Sequence, residues 1–378
     1  MSDGMRRFAD LIAPISVDQF SAEHDGKSHL YIPGEDQKFA GVASWDMINS
    51  LLADTALWTG RLLTLAKQGP TVSPDEYCVA DTDRDGHSIQ RPVPELIRRQ
   101  LEEGATLVLN HTDTLTPGLA HVSGCLQLHF RAQMKCNIYC SWQASQGFAT
   151  HFDGTDVFVL QIAGKKFWNL YDGFYEMPLG SSPYVFRLGH EENERLKGNL
   201  VDELELTPGD LLYIPRGQYH DAIASSEASL HLTFGLVPMV GVNVLDMIKS
   251  HLNNDALFQA ALPHFDDRVA LQSHLSGLGG RIAEILRDPK TGELVRDHQK
   301  NSALQESFPI YDLPSTEKLS VFQVDHTRGA NNEEKTLSDW LDGRDYFTDR
   351  EFMAAFSDID PIDRLNELIG AGRITQIG

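Results

Sequence analysis

The sequence predicts an α+β protein whose centre is an antiparallel sandwich or barrel, and two changes of period carry that prediction. From Thr106 onward, apolar residues recur in short, β-branched-rich runs separated by turn residues, the pattern of a closed or two-layered antiparallel sheet. After Pro238 they recur at three- and four-residue spacing, which marks amphipathic helices. A third observation is size, because 378 residues can bury a substantial core and form two or three domains.

These changes divide the chain into residues 1–104, 105–240, 241–312 and 313–378. In the first division, Phe8 to Ile12 and Ser16 to Phe20 read as short helical turns, and His29 to Pro33 as a strand stopped by proline. Ser44 caps a helix carrying Trp45, Ile48, Leu51 and Leu52, and Val93 to Glu103 is a second amphipathic helix with Pro94 in its first turn. Asp81 to Gly86 alternates carboxylates before a glycine, but it has no glutamate at the twelfth position and reads as an acidic loop. In the second division, strands are expected at Thr106 to Asn110, Cys125 to Phe130, Cys136 to Trp142, Val157 to Ile162, Phe167 to Tyr171, Leu204 to Leu206, Leu211 to Ile214, His220 to Ala224 and Leu230 to Val237. Residues 172–200, rich in Gly, Pro and Glu, read as a long insertion at the mouth of the barrel.

In the third division Val244, Met247, Ile248 and Leu252 share one helical face, and Leu275, Leu278, Ile282, Ile285 and Leu286 another. The fourth holds three short helices and a strand. Leu337, Trp340 and Leu341 begin the first helix, Thr348-Asp349-Arg350-Glu351 is a capping box for the second, and Asp360-Pro361 opens a third that ends at Gly370 before a strand from Arg373 to Ile377. That arrangement resembles a winged helix. Residues 313–378, however, carry 13 acidic against 7 basic side chains, a poor surface for phosphate.

The whole chain sets 32 basic residues against 54 acidic ones, a formal charge of −22. Such a surface excludes nonspecific binding to nucleic acid or to an anionic membrane and favours a basic partner. No run of about 18 apolar residues is present to span a membrane, and the apolar stretch near the N-terminus is cut by Asp10 and Pro14. Four cysteines, Cys78, Cys125, Cys136 and Cys140, are too few for a disulfide framework in so long a chain, so reduced thiols and a cytoplasmic location are expected.

The chemistry concentrates at Thr150 to Trp168. His151 and Asp153 stand two apart, so on extended backbone they point the same way and bring one nitrogen and one oxygen to a common point. Val157 to Ile162, the turn Ala163-Gly164-Lys165 and Phe167 to Tyr171 form a hairpin, with Lys166 opening its second strand. The third ligand is expected from His220, presented by the Pro215-Arg216-Gly217 bend after the strand Leu211 to Ile214. Two histidines and one carboxylate occupy one face of an octahedron and favour non-haem Fe(II), whose open positions accept a bidentate cosubstrate and then O₂. His231 and Thr233 read as packed barrel residues, with Thr233 able to reach a cosubstrate, and His111, His121 and His129 as structural groups near strands.

At these residues the sequence resembles the JmjC-type 2-oxoglutarate oxygenases, and within them the ribosomal oxygenases, a group of cupin-like protein hydroxylases. The resemblance lies in Asn137-Ile138-Tyr139, Ser145-Gln146-Gly147-Phe148, His151-Phe152-Asp153, Phe158-Val159-Leu160-Gln161, Gly164-Lys165-Lys166-Phe167-Trp168, Pro208 to Gly217 and His220. It implies a double-stranded β-helix (jelly-roll or cupin core), a helical dimerisation segment and a winged-helix-like C-terminal domain. It also implies Fe(II) held by His151, Asp153 and His220, 2-oxoglutarate as cosubstrate with Lys166 on its distal carboxylate, O₂ as oxidant, and Asn137 and Tyr139 as polar pocket residues. A lone buried ammonium needs an anion, which agrees with the role implied for Lys166.

The pattern departs from the family at Phe152-Asp153-Gly154-Thr155, at Cys140-Ser141-Trp142 and at Phe234-Gly235, positions that bear on the substrate. The expected activity is hydroxylation of an amino-acid side chain, arginine or histidine, in a protein or peptide by a homodimeric enzyme. Two alternatives stand beside it. One is the same chemistry on a free small molecule or in demethylation of methyl-lysine; the other is a non-catalytic metal-binding cupin or regulator.

Overall fold

The structure is a computed structural model that describes residues 7–67, 69, 71–142, 149–179, 188–224, 228–302, 320–326, 335–356 and 361–377. The chain divides into two compact units, Met1–Phe308 and Pro309–Gly378.

The first unit opens with α1 (Phe8–Leu11), α2 (Val17–Glu23), β1 (Leu30–Ile32), α3 (Trp45–Ala53) and β2 (Leu63–Ala66). Then come a hairpin of β3 (Cys78–Thr82) and β4 (Ser88–Pro92), α4 (Pro94–Glu102), β5 (Thr106–Leu109) and α5 (Pro117–Phe130). The cap expected of Ser44 forms, and Ser16 caps α2 in the same way, each side chain accepting from the backbone N–H three residues on. The acidic stretch from Asp81 is the turn of the β3–β4 hairpin.

The central strands are β6 (Gln133–Ser141), β7 (Asp156–Ala163), β8 (Lys166–Phe174), β9 (Leu200–Leu206), β10 (Leu211–Ile214), β11 (Gln218–Ala224) and β12 (Ser229–Val237), with α6 (His190–Leu196) between β8 and β9. They form an antiparallel seven-stranded sheet in the order β1-β10-β7-β12-β6-β5-β2 and a smaller one in the order β11-β8-β9. From β7 the chain passes to β8 and β9 in the small sheet, back to β10, across to β11 and back to β12. This passage between two facing antiparallel sheets is the jelly roll that the resemblance implies.

Alternation of side chains then sorts every strand. Leu230, Leu232 and Phe234 of β12, Met134, Cys136 and Ile138 of β6, and Phe158 and Leu160 of β7 face a core shared with α1, α2, α3 and α5. Their neighbours face the small sheet, where Val157, Val159, Leu212 and Ile214 pack on Trp168, Leu170 and Leu206. A one-residue slip would exchange the two faces. The hairpin that fixes the register turns at Gly164, whose φ is +64° and where a Cβ would stand 1.8 Å from the Ala228 carbonyl oxygen. Gly164→Ala is therefore expected to cost at least about 2 kcal/mol, read as a lower denaturation midpoint at unchanged slope.

One expected strand is corrected. Cys125 to Phe130 alternates like a strand but is the second half of α5, capped by Thr116, whose side chain accepts from Leu119 N, with Pro117 in its first turn. The helix is buried on most sides, through Leu119, Ala120, Val122, Ser123, Cys125, Leu126 and Gln127, so it shows little amphipathic contrast. His121 and His129 accordingly lie on a helix, with His129 stacked on Phe8 at 4.1 Å. The insertion at 172–200 is also not all loop, since α6 folds within it and β9 begins at Leu200.

After β12 the chain is helical, through α7 (Gly241–Asn253), α8 (Ala256–Gln259), α9 (Arg268–Arg287) and α10 (Pro289–Ser302). The second unit contains β13 (Val321–Val324), α11 (Lys335–Asp342), β14 (Tyr346–Thr348), α12 (Asp349–Ala355), α13 (Pro361–Gly370) and β15 (Ile374–Gln376), with its strands in the order β14-β13-β15. Its core is Phe322, Leu337, Leu341, Phe347, Phe352, Leu365 and Leu368. The capping box at Thr348 and Glu351 is present in both directions. Asp360, the expected cap of the last helix, lies outside the described residues. No described helix is long and apolar enough to cross a membrane.

Candidate metal centre and its cavity

His151, Asp153 and His220 come together, each offering one ligand atom within 4.8 Å of the others. The chain brings them there through the backbone. His151 and His220 form an isolated antiparallel bridge, His151 N donating to His220 O at 3.0 Å and His220 N to His151 O at 2.8 Å. Both imidazoles thus lie side by side, ring centroids 4.6 Å apart. Asp153, two residues beyond His151, brings its Oδ2 within 3.6 Å of His220 Nε2, and its own backbone oxygen accepts from Gly217 N at 2.9 Å.

The tautomers follow from the partners of the other ring nitrogens. His151 Nδ1 lies 2.8 Å from the Ala149 carbonyl and His220 Nδ1 lies 2.9 Å from the Gln218 carbonyl. A carbonyl only accepts, so each Nδ1 carries the proton and each Nε2 keeps a lone pair for the common point. Burial, with the neighbouring His151 adding to it, pushes His220 down to about 4, so its ring is neutral at physiological pH. Two imidazoles and a carboxylate suit a borderline divalent transition metal with open coordination sites, and ferrous iron fits this donor set.

Side chains from both sheets surround the triad on its inner side. From the large sheet Asn137, Tyr139 and Ser141 of β6 and His231 and Thr233 of β12 share the inward face, with Thr233 paired to Asn137 and His231 to Tyr139. The Tyr139 and His231 rings stack at 4.7 Å. Burial raises the Tyr139 hydroxyl and lowers His231 well below its usual value, the latter with help from the charge on Lys166. Asn137 is partly committed, since its Oδ1 accepts from His111 N at 3.2 Å.

From the small sheet come Lys166, Trp168 and His220. Of the two adjacent lysines, Lys165 is exposed and paired to Glu205 at 2.6 Å, whereas Lys166 is 4% exposed. Its Nζ reaches Ser141 Oγ at 3.5 Å, and among the described residues no carboxylate pairs with it. Burial pushes the ammonium down to about 8. Two buried nitrogens on the same inner side, His231 Nδ1 and Trp168 Nε1, have no hydrogen-bond partner among the described residues. A lone buried cation beside unsatisfied polar nitrogens fits a small anion.

Strand geometry adds a length. Lys166 pairs with Ala224, four residues beyond His220 on β11, so its backbone stands about 13 Å from that of the histidine, with Trp168 between them on the same face. The lysine side chain covers part of that span.

Asp221, buried behind His220, belongs to no motif and escapes a reading of sequence alone, while Ser141 and Trp168 stand in sequence motifs but gain their place beside Lys166 only once the strands are paired. Ser145 to Phe148, part of the family resemblance, lie outside the described residues. Asp83, Asp85 and His87 also gather at the β3–β4 turn, but Asp83 Oδ1 accepts from the backbone N–H groups of Asp85 and His87 at 3.0 and 2.8 Å, ordinary turn chemistry. A cavity of about 370 Å³ away from the triad is lined by Trp45, Trp58, Trp142, aliphatic side chains and the polar Asn49, Thr55, Arg91 and Arg98, with no carboxylate, imidazole or thiol in its lining.

Comparison with known proteins identifies the jelly roll. Residues 116–244 match the model of the JmjC domain. Those residues resemble a JmjC domain. Around it, 237 residues are 30% identical to the bifunctional lysine-specific demethylase and histidyl-hydroxylase NO66 of Dictyostelium discoideum, covering 61% of this chain and 42% of that protein. NO66 of Drosophila erecta is 28% identical over 328 residues, or 84% of this chain and 45% of the other. The chain thus spans less than half the length of these curated relatives. The ribosomal oxygenase YcfD of Escherichia coli, solved with cobalt and 2-oxoglutarate, shares the JmjC fold at a TM-score of 0.54 and 15% identity, covering 97% of this chain and 99% of that one.

Proposed function

We propose that the protein is an Fe(II)- and 2-oxoglutarate-dependent oxygenase that hydroxylates an amino-acid side chain, arginine or histidine, in a protein or peptide. The observation that carries this reading is a His-Asp-His triad on the inner side of the two sheets together with a buried ammonium, Lys166, that no carboxylate among the described residues pairs. His151, Asp153 and His220 hold the ferrous ion, and Lys166 pairs with the distal carboxylate of the cosubstrate. Tyr139, Thr233 and Asn137 line the same pocket as polar neighbours. When bound, iron and 2-oxoglutarate supply the oxidising power for insertion of oxygen from O₂ into a C–H bond, with release of succinate and carbon dioxide. The chain's own part is orientation and exclusion of water. The backbone carbonyls of Ala149 and Gln218 keep the imidazole lone pairs aimed, while Val159, Trp168 and Leu212 make the surroundings dry.

The relatives support a macromolecular substrate, since NO66 is a histidyl-hydroxylase as well as a demethylase, and YcfD is a ribosomal oxygenase. The formal charge of −22 supports a basic one. Incubation with candidate basic peptides, Fe(II), O₂ and 2-oxoglutarate is expected to release succinate and add the mass of one oxygen to one peptide. Loss of methyl groups from a methyl-lysine peptide would assign demethylation instead. No succinate release with any substrate would overturn the oxygenase reading in favour of a metal-binding regulator.

The same reading places the protein in the cytoplasm, supported by four buried, unpaired thiols, and makes it a homodimer through its helical segment. Exposed Val242, Leu245, Leu262, Phe265, Val269 and Leu275 on α7, α9 and the turn between them support that interface. We assign the second unit, with three helices on a three-stranded sheet, as winged-helix-like and, because its surface is acidic, as a protein-binding rather than nucleic-acid-binding module.

A further inference from the structure

We propose that Asp221 is a positioning residue for the metal-binding histidines, acting from the opposite face of the small sheet; the proposal rests on the reading of His151, Asp153 and His220 as a metal triad. Successive residues of a strand point to opposite faces, so His220 enters the cavity and Asp221 points away from it. That outward position ought to be wet, yet Asp221 is only 4% exposed. Its carboxylate accepts three hydrogen bonds from side chains. Thr150 Oγ1 donates to Oδ2 at 3.0 Å, Tyr171 OH to the same oxygen at 2.8 Å, and Asn169 Nδ2 to Oδ1 at 2.9 Å.

The register explains why Thr150 is among them. Because His151 and His220 exchange backbone hydrogen bonds as an antiparallel pair, the residue before the first stands opposite the residue after the second. Asp221 thus ties the segment that carries His151 and Asp153 to β8, on which Asn169 and Tyr171 sit. That segment needs a tie. Residues 149–155 belong to no strand, and the described backbone bonds that hold it to β11 and the bend before it are the His151–His220 pair and Gly217 N to Asp153 O. Glu194 of α6 also reaches the Thr150 hydroxyl, and its own charge is met by Lys197 at 2.6 Å, so the network is closed over by a helix.

The physical consequence is pre-organisation. Side chains behind metal ligands set ring orientation and segment position, and changes to them commonly weaken binding by about 10- to 100-fold. Here the group acts on the backbone of two ligands at once rather than on a ring nitrogen.

Three variants of the full chain separate positioning from ordinary strand cohesion. Thr150→Val and Tyr171→Phe each remove one hydrogen bond to the same carboxylate oxygen, the first from the ligand segment and the second from β8; Asp221→Asn disturbs all three. Affinity for Co(II), without cosubstrate, is measured by calorimetric titration beside the melting temperature of the metal-free protein. Thr150→Val and Asp221→Asn are expected to weaken Co(II) binding by about tenfold or more, and Tyr171→Phe by less than about threefold at a similar fall in melting temperature. Equal affinity losses in Thr150→Val and Tyr171→Phe, or none in either, would overturn the positioning role. Absence of Co(II) binding by the unaltered protein would instead overturn the triad itself, and the role of Asp221 with it.

Discussion

His220→Ala is expected to abolish turnover, with a loss of more than about 100-fold, because changes merely behind metal ligands already cost about 10- to 100-fold. The residue is 3% exposed and is the buried member of the triad, the other two being partly exposed. Succinate release measures the effect, and calorimetric titration with Co(II) locates it in metal binding rather than in a later step. A circular dichroism spectrum unchanged from that of the unaltered protein removes global misfolding as the cause. Retention of full succinate release by folded His220→Ala protein would remove this histidine from the metal site.

Lys166→Met carries the second large effect and has two opposite signs. Activity should fall mainly through the KM for 2-oxoglutarate, by about 100-fold or more, because the cosubstrate's distal carboxylate would lose a charge-assisted partner in a desolvated cavity. Stability should rise. The folded-state pKa of Lys166 is lowered to about 8 from 10.5, the direction that costs stability while the amine is charged. Between those two values the unfolded chain binds the proton and the folded one does not, so stability climbs with pH through that window; the cost is full below pH 8. Removing the charge should therefore stabilise the protein at pH 7 by roughly 1–3 kcal/mol, an order-of-magnitude figure from the size of the shift. Chemical denaturation checks the gain. In the unaltered enzyme, the KM for 2-oxoglutarate should rise as the pH passes above about 8, where the free enzyme loses the ammonium.

The site was more legible in the sequence than the scaffold that holds it. His151, Asp153 and Lys166 lie on either side of a hairpin whose alternation and Gly164 turn are local features, and His220 follows a proline-bounded strand, so the pattern could be read without knowing the fold. Asp221 could not, since its partners Thr150, Asn169 and Tyr171 become neighbours only through strand pairing. The N-terminal hairpin of β3 and β4 escaped because its strands are largely exposed and carry little apolar alternation. Cys125 to Phe130 misled for the reverse reason: a helix buried on most sides offers no polar face to betray its period, and Thr116-Pro117 was its one clear local signal. In 172–200, high glycine and proline content hid the short helix α6, whose contacts with Thr150 and Tyr219 are tertiary.

The bridge between His151 and His220 joins points 69 residues apart in the chain. An ion bound there is a removable cross-link, closing a loop that contains β7 to β10 and most of β11's approach. In the unfolded chain those ligands are strangers, so the ion has nothing comparable to hold, and mass action alone must then raise the melting temperature as its concentration increases. Chelation is therefore expected to loosen more than a reaction centre: it frees the 149–155 segment from β11, and hydrogen exchange at β11 gauges how much rigidity the ion supplies.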